Sequence, residues 1–119
     1  MRSTLEINIT EEGEVSILHL NGPVDANTQG DLEARAEEVI NNGVSNLVFD
    51  LAGVTFLGSA GLRALNIIAI KFGGGNPAEK YAHIRLANPS VEVRRILKNL
   101  GFDDFIGVHE NLQQAIESF

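Results

Sequence analysis

An α/β fold is what this sequence predicts: a mixed sheet of four to five strands, opened by an N-terminal antiparallel hairpin and covered by about four helices. Three observations lead there. Apolar residues recur every second position in some segments and every third or fourth in others. After two strand-like segments joined by a short turn, strand-like and helix-like segments alternate, which makes the sheet largely parallel with helical crossovers. The length of 119 residues matches one domain, 1–119, and leaves no room for two.

The elements follow in order. Leu5, Ile7 and Ile9 alternate with polar residues as a strand does, Glu12-Gly13 supplies a turn, and Val15, Ile17, Leu18 and Leu20 form the second strand, ending at Asn21-Gly22. Thr28, with Asp31 three residues on, is expected to cap a helix whose inner face is Leu32, Ala36, Val39 and Ile40 and which stops at Asn41-Asn42-Gly43. Asn46–Leu51, centred on Leu47-Val48-Phe49, has the length and content of a buried strand. A second helix is expected from about Ser59 to Phe72, with Leu62, Leu65, Ile68, Ala69 and Phe72 inside. Its opposite side carries Ala60, Ala64, Ile67 and Lys71 and is unusually apolar for a water-facing surface. Gly73-Gly74-Gly75-Asn76-Pro77 reads as a flexible loop. Ile84 and Leu86 mark another strand. Asn88-Pro89 reads as an N-cap and first-turn proline before a helix with Val93, Ile96, Leu97 and Leu100 inside, stopped by Gly101. Phe105, Ile106 and Val108 are expected in a short last strand, and Leu112, Ala115, Ile116 and Phe119 stripe a closing helix.

Composition narrows the function classes. Hydrophobic residues make up 44% and charged residues 21%, enough for a packed core and unlike a disordered chain. With no cysteine there is no disulfide, thiolate zinc site or cysteine nucleophile. A formal charge of −7 disfavours direct contact with nucleic acid and fits a soluble protein or one that docks on a basic partner. The longest apolar run, Ile67–Ile70, is too short to cross a bilayer, and no basic segment precedes a long apolar run at the N-terminus, so a cytoplasmic protein without membrane insertion is expected. His19, His83 and His109 fall on different elements without ligand spacing, and no metal or other cofactor is expected. No His-Asp partnership serves Ser59, and Gly73-Gly74-Gly75 lacks the lysine of a phosphate loop, so an enzyme is not expected. Asp50 follows a strand as a receiver phosphoacceptor does, but Glu11 and Glu12 lie in a hairpin turn rather than in an acidic cluster.

The informative stretch is Asp50-Leu51-Ala52-Gly53-Val54-Thr55-Phe56-Leu57-Gly58-Ser59-Ala60-Gly61-Leu62. A buried strand ends, and a cluster of small residues opens a helix whose free N–H groups and dipole favour negative charge. From the residues alone, the simpler reading of Ser59 is a plain N-cap. The other reading is a phosphorylation site, where the added charge would sit beside those donors.

Val48–Leu62 resembles the signature of the STAS domain family, the sulfate transporter and anti-sigma factor antagonist domain, which reads roughly L-D-L-x-x-V-x-x-M-D-S-S/A/T-G-L-G. Leu20-Asn21-Gly22-Pro23-Val24-Asp25 is similar to its G-x-I/L-D segment. Asn88-Pro89-Ser90-Val91-Glu92-Val93-Arg94-Arg95-Ile96-Leu97, followed by Leu100-Gly101-Phe102, is similar to its S-x-x-V-x-R helix and the stop behind it. The resemblance covers nearly the whole chain in the family's order. It implies an anti-sigma factor antagonist that works by partner switching. Unphosphorylated, such a protein binds an anti-sigma factor that is also a serine kinase of the histidine-kinase-like ATPase fold, and so releases a sigma factor. The kinase then phosphorylates the antagonist's serine, here Ser59, and a metal-dependent serine phosphatase restores it. Taken together with the apolar outward face of the second helix, which supplies Ala60, Ala64 and Ile67, the expected partner-binding residues are Asp25, Gly58, Ser59, Ala60, Gly61, Ala64 and Ile67. Two positions depart from the pattern: Gly58 stands where the family has aspartate, and Arg63 where it has glycine. The alternative is a constitutive STAS subunit of a lipid-transport ATPase complex, for which Ser59 needs no modification.

Overall fold

In the computed structural model, which describes residues 4–73, 76, 79 and 81–119, the alternating segments become one five-stranded sheet in the order β1-β2-β3-β4-β5. β1 (Glu6–Glu12) and β2 (Val15–Val24) form the antiparallel hairpin. β3 (Asn46–Leu57), β4 (Ile84–Ala87) and β5 (Gly107–His109) add to β2 in parallel. The crossovers are α1 (Gln29–Asn41), α2 (Ser59–Phe72) and α3 (Val91–Asn99), and α4 (Leu112–Glu117) closes the chain. The mixed sheet, the hairpin and the four helices are those expected from the sequence.

Both faces of the sheet's centre are covered, so β2 and β3 carry near-continuous apolar runs rather than strict alternation. Leu18, Leu20, Leu47, Phe49, Leu51, Ile84 and Leu86 pack against α1, α2 and α3. Val15, Ile17, Val48 and Ala87 pack against Ala115, Leu112 and Ile116 of α4 on the opposite side. Three helices thus lie on one face and one short helix on the other.

Several boundaries differ from the expectation, each for a local reason. β3 continues past Leu51 to Leu57 because Gly53–Leu57 pair with Asn21–Val24 of β2 through two register shifts. The shift between Gly22 and Pro23 is what lets a proline sit inside the ladder. Thr28 occupies the N-cap position of α1, but its side chain makes no cap bond. Its buried hydroxyl donates to Pro23 O (2.8 Å) and accepts from the Asp25 N–H (3.0 Å) instead. The cap of α3 is Ser90, whose Oγ accepts from the Val93 N–H at 3.1 Å, and not Asn88. Gly101, at φ +69°, ends that helix in the left-handed region, as glycine does readily. The next residues, Phe102–Asp104, wind into a 3₁₀ turn, so the last strand starts only at Gly107. Leu100, expected inside, is 62% exposed, and Phe105, expected in the last strand, precedes it and is 64% exposed. Of the segment Gly73–Pro77 expected as a loop, residues 74, 75 and 77 lie outside the described residues.

Candidate functional site

The two segments singled out by sequence meet where β2 and β3, both interior strands of the sheet, end. β3 ends at Leu57 and α2 begins at Ser59, with Gly58 between them as the N-cap in extended conformation. The Gly58 N–H donates to Val24 O (3.1 Å), which ties this turn to the end of β2, and Gly58 O accepts the first helical bond from the Leu62 N–H (3.1 Å). The same Val24 carbonyl would stand 2.6 Å from a Cβ on Gly61, so glycine there is what allows α2 to approach the β2 loop. Asp25 is therefore brought beside the start of α2.

Ser59 is the first residue of α2, and the plain N-cap reading does not hold: the cap position belongs to Gly58 and no side chain caps the helix. Ser59 is exposed, and its hydroxyl forms no hydrogen bond with a described residue. The N–H groups of Ser59, Ala60 and Gly61 precede the first intrahelical bond and aim at the same space. No acid stands in this first turn.

Asp25 is half-buried, and one oxygen of its carboxylate is tied to its own loop. Oδ1 accepts from the N–H of Asn27 (2.9 Å) and of Thr28 (3.2 Å), with the Thr28 hydroxyl, whose proton goes to Pro23 O, 3.3 Å away. Its backbone carbonyl accepts from the N–H groups of Thr28 and Gln29. The residue thus builds the turn that leads into α1.

The exposed face of α2 is not the one expected. Ala64 is 0% exposed, Gly61 is buried, and Ala60 and Ile67 are only partly exposed. The cause is α1, which packs alongside α2 and covers the flank holding Ala64. Lys71 on that flank pairs with Glu37 of α1 at 3.0 Å. At roughly 100° per residue, Arg63 and Ile70 fall within about 40° of Ser59, and these two are exposed. The outward stripe is therefore Ser59, Arg63 and Ile70, flanked by Ala60 and Ile67. A helical wheel started at Ser59 would have found it. Phe56 was also missed: it is 54% exposed, and its ring lies 2.8 Å from where a Cβ on Gly58 would stand. The glycine in place of the family's aspartate thus leaves room for an apolar ring beside Ser59. Sequence carried no signal for that packing.

A second polar cluster lies near mid-strand. Asp50 Oδ2 accepts from His19 Nδ1 (2.7 Å), and Oδ1 accepts from Asn88 Nδ2 (3.0 Å) and the Ala52 N–H (3.1 Å). The other ring nitrogen, Nε2, lies 2.8 Å from the Thr10 hydroxyl. Burial pushes the Asp50 carboxyl up, but the bonds from Asn88, His19 and Ala52 outweigh it and hold it below the ordinary range. Asn88 reaches Asp50 from the left-handed region, at φ +57°. The arrangement cross-links β1, β2, β3 and the end of β4, with every Asp50 oxygen already occupied.

A cleft of about 540 Å³ is lined by Tyr81, Arg85, Phe105 and His109, among others. Arg85 spends its donors there on the carbonyls of Tyr81, Ala82, Ile84 and Ser118 and on Ser118 Oγ, and it stacks over the Phe119 ring at 4.4 Å. The cleft anchors the end of α4. Among the described residues no group of three His, Asp or Glu side chains could hold a metal ion, and no helix is long and apolar enough to cross a membrane.

Comparison with known proteins gives the site its context. Residues 6–115 match the family model of the STAS domain. The anti-sigma-F factor antagonist RsfB of Mycobacterium tuberculosis is 29% identical over 113 residues, covering 95% of this chain and 88% of RsfB. The crystal structure of an anti-sigma factor antagonist from Mycobacterium paratuberculosis superposes with a TM-score of 0.83 at 25% identity, over 96% of this chain and 92% of that one. Unphosphorylated SpoIIAA, also an anti-sigma factor antagonist, shares the fold with a TM-score of 0.73 at 18% identity, over 95% of each chain.

Proposed function

We propose, from the premise that this chain belongs to the STAS domain family, that it is an anti-sigma factor antagonist: it binds an anti-sigma factor, frees a sigma factor, and is switched by phosphorylation of Ser59. The similarity to antagonists over nearly the full chain supports the class. The observation that carries the switch is the exposed Ser59 hydroxyl at the opening of α2, which forms no hydrogen bond among the described residues.

The docking surface is the stripe around Ser59, with Ala60, Ile67, Ile70 and Phe56 as its apolar part and Gly58, Gly61 and Asp25 holding its shape. Ala64 drops out of that surface because α1 covers it. The partner is an anti-sigma factor that is also a serine kinase of the histidine-kinase-like ATPase fold. The γ-phosphoryl group of ATP passes to Ser59 Oγ, the hydroxyl proton leaves, and ADP is released. Roughly −1.5 to −2 charges then sit inside a close-packed contact, where desolvation and repulsion separate the partners. The fold survives because the first N–H groups and the dipole of α2 favour the new charge. A metal-dependent serine phosphatase hydrolyses the phosphate and resets the cycle. The chain acts as a single cytoplasmic STAS unit, a binding protein rather than an enzyme.

The test is incubation with the anti-sigma kinase and ATP, with the modified residue mapped by mass spectrometry. Phosphate is expected on Ser59, with Ser59→Ala binding the partner constitutively and Ser59→Asp binding poorly. Phosphate elsewhere, or none where a control antagonist is modified, sinks the switch and favours the constitutive subunit of a lipid-transport ATPase complex.

A further inference from the structure

We infer that Arg63 is an intramolecular clamp for the phosphate on Ser59, an inference that rests on the phosphorylation proposed above. Arg63 lies one helical turn after Ser59 in α2, and both residues are exposed on the same side. Side chains four apart on a helix are neighbours, with Cβ atoms roughly 5–6 Å apart. Because helical side chains lean toward the N-terminus, the turn that holds Ser59 is within reach of the Arg63 guanidinium.

That guanidinium is uncommitted. Among the described residues it takes part in no salt bridge, whereas the charged heads of Arg35 and Lys71 face Glu38 and Glu37. No acid in the first turn of α2 competes for it, and Oδ1 of the nearby Asp25 carboxylate accepts from its own loop. A phosphate on Ser59 is the anion this arrangement fits. The planar fork of arginine matches two phosphate oxygens, which a single ammonium point charge does not. The two departures from the family pattern act together: Gly58 removes a negative neighbour from Ser59, and Arg63 adds a positive one. In this chain the phosphorylated form is therefore held by the helix that carries it.

The test uses the full chain with phosphoserine placed at position 59 during translation, so that no kinase is needed, alongside R63Q and R63K. Phosphorus NMR follows the second ionisation of the phosphate against pH at low salt. In R63Q the midpoint is expected about half a unit or more above that of the parent chain, with R63K between, because a cation within reach favours the dianion. The gap should shrink at high salt. Phosphorylation should also raise Tm more in the parent chain than in R63Q, while the unphosphorylated forms melt together, since Arg63 is exposed. Coincident midpoints in the parent chain and R63Q overturn the clamp and leave the switch standing. A phosphoserine chain that binds the anti-sigma factor as tightly as the unmodified one overturns the switch and leaves the clamp standing.

Discussion

Gly61→Ala places one methyl group at the most crowded point of the site. In an open helix, this change stabilises by about 1 kcal/mol, because alanine loses less backbone entropy on folding. Here the new Cβ would lie 2.6 Å from Val24 O, 2.7 Å from Val24 Cγ1 and 2.9 Å from Leu57 Cδ1. The carbonyl is backbone, and it already accepts the Gly58 N–H at 3.1 Å, so it cannot withdraw without loosening that bond. Overpacking of this kind costs about 1–3 kcal/mol, and weakening the hydrogen bond adds about 1 kcal/mol. Set against the helical gain, the net loss is roughly 1–3 kcal/mol, or a fall in Tm of about 5–12 °C. Gly30→Ala is the control: it is exposed in α1 and a Cβ there meets nothing within 4 Å, so stability should rise by roughly 0.5–1 kcal/mol. Thermal and urea denaturation of both variants decide the matter. A Gly61→Ala chain as stable as the parent, rising with Gly30→Ala, would refute the claim that close approach requires this glycine. Anti-sigma binding should weaken in the same variant, since the displaced loop carries Asp25.

The other perturbations separate core from surface. Ala64→Asp puts a charge where the residue is 0% exposed between two helices and should cost several kcal/mol, of the order that leaves the chain unfolded. Ile67→Asp, at a partly exposed position, should instead lower partner affinity while the chain still melts cooperatively, and pull-down plus calorimetry on the two variants checks the contrast. Asp25→Ala removes the acceptor for two backbone N–H groups and should destabilise by about 1–2 kcal/mol, with weakened phosphorylation by the kinase beyond that loss; unchanged kinase binding and phosphorylation would make the residue structural only. Urea titrations across pH should show stability falling in two stages. Burial, reinforced by the Arg85 charge, holds His109 below its usual 6.5, so its neutral-state contribution is full above that value and lost as pH falls through the lowered one. Asp50 is held below 3.8, so its contribution is lost only at more acid pH, as pH falls through its folded value, and Asp50→Asn should abolish that second stage.

Much of this protein was legible before any coordinates. The order of elements, the opening hairpin, the bounds of α2 at Ser59 and Phe72 and the position of Ser59 at a helix start all follow from periodicity and from where small residues cluster, because these are properties of neighbouring positions along one chain. Contacts between distant segments were not legible. Periodicity marks the side of α2 that meets the sheet but is silent about a second helix beside it, so Ala64, a small residue with little apolar signal, was assigned to the surface that α1 covers. Cap chemistry at Thr28, Ser59 and Asn88 failed for the same reason: each has a side chain suited to capping, but tertiary neighbours decided otherwise. Pro23 O takes the Thr28 hydroxyl, the Val24 bond fixes Gly58 as the cap, and Asp50 holds the Asn88 amide. The sequence by itself determined which segments fold and that Ser59 opens α2. Only the tertiary structure decided which atoms are free to react, because a hydrogen bond or a packing contact is settled by what a folded neighbour brings within about 3–4 Å.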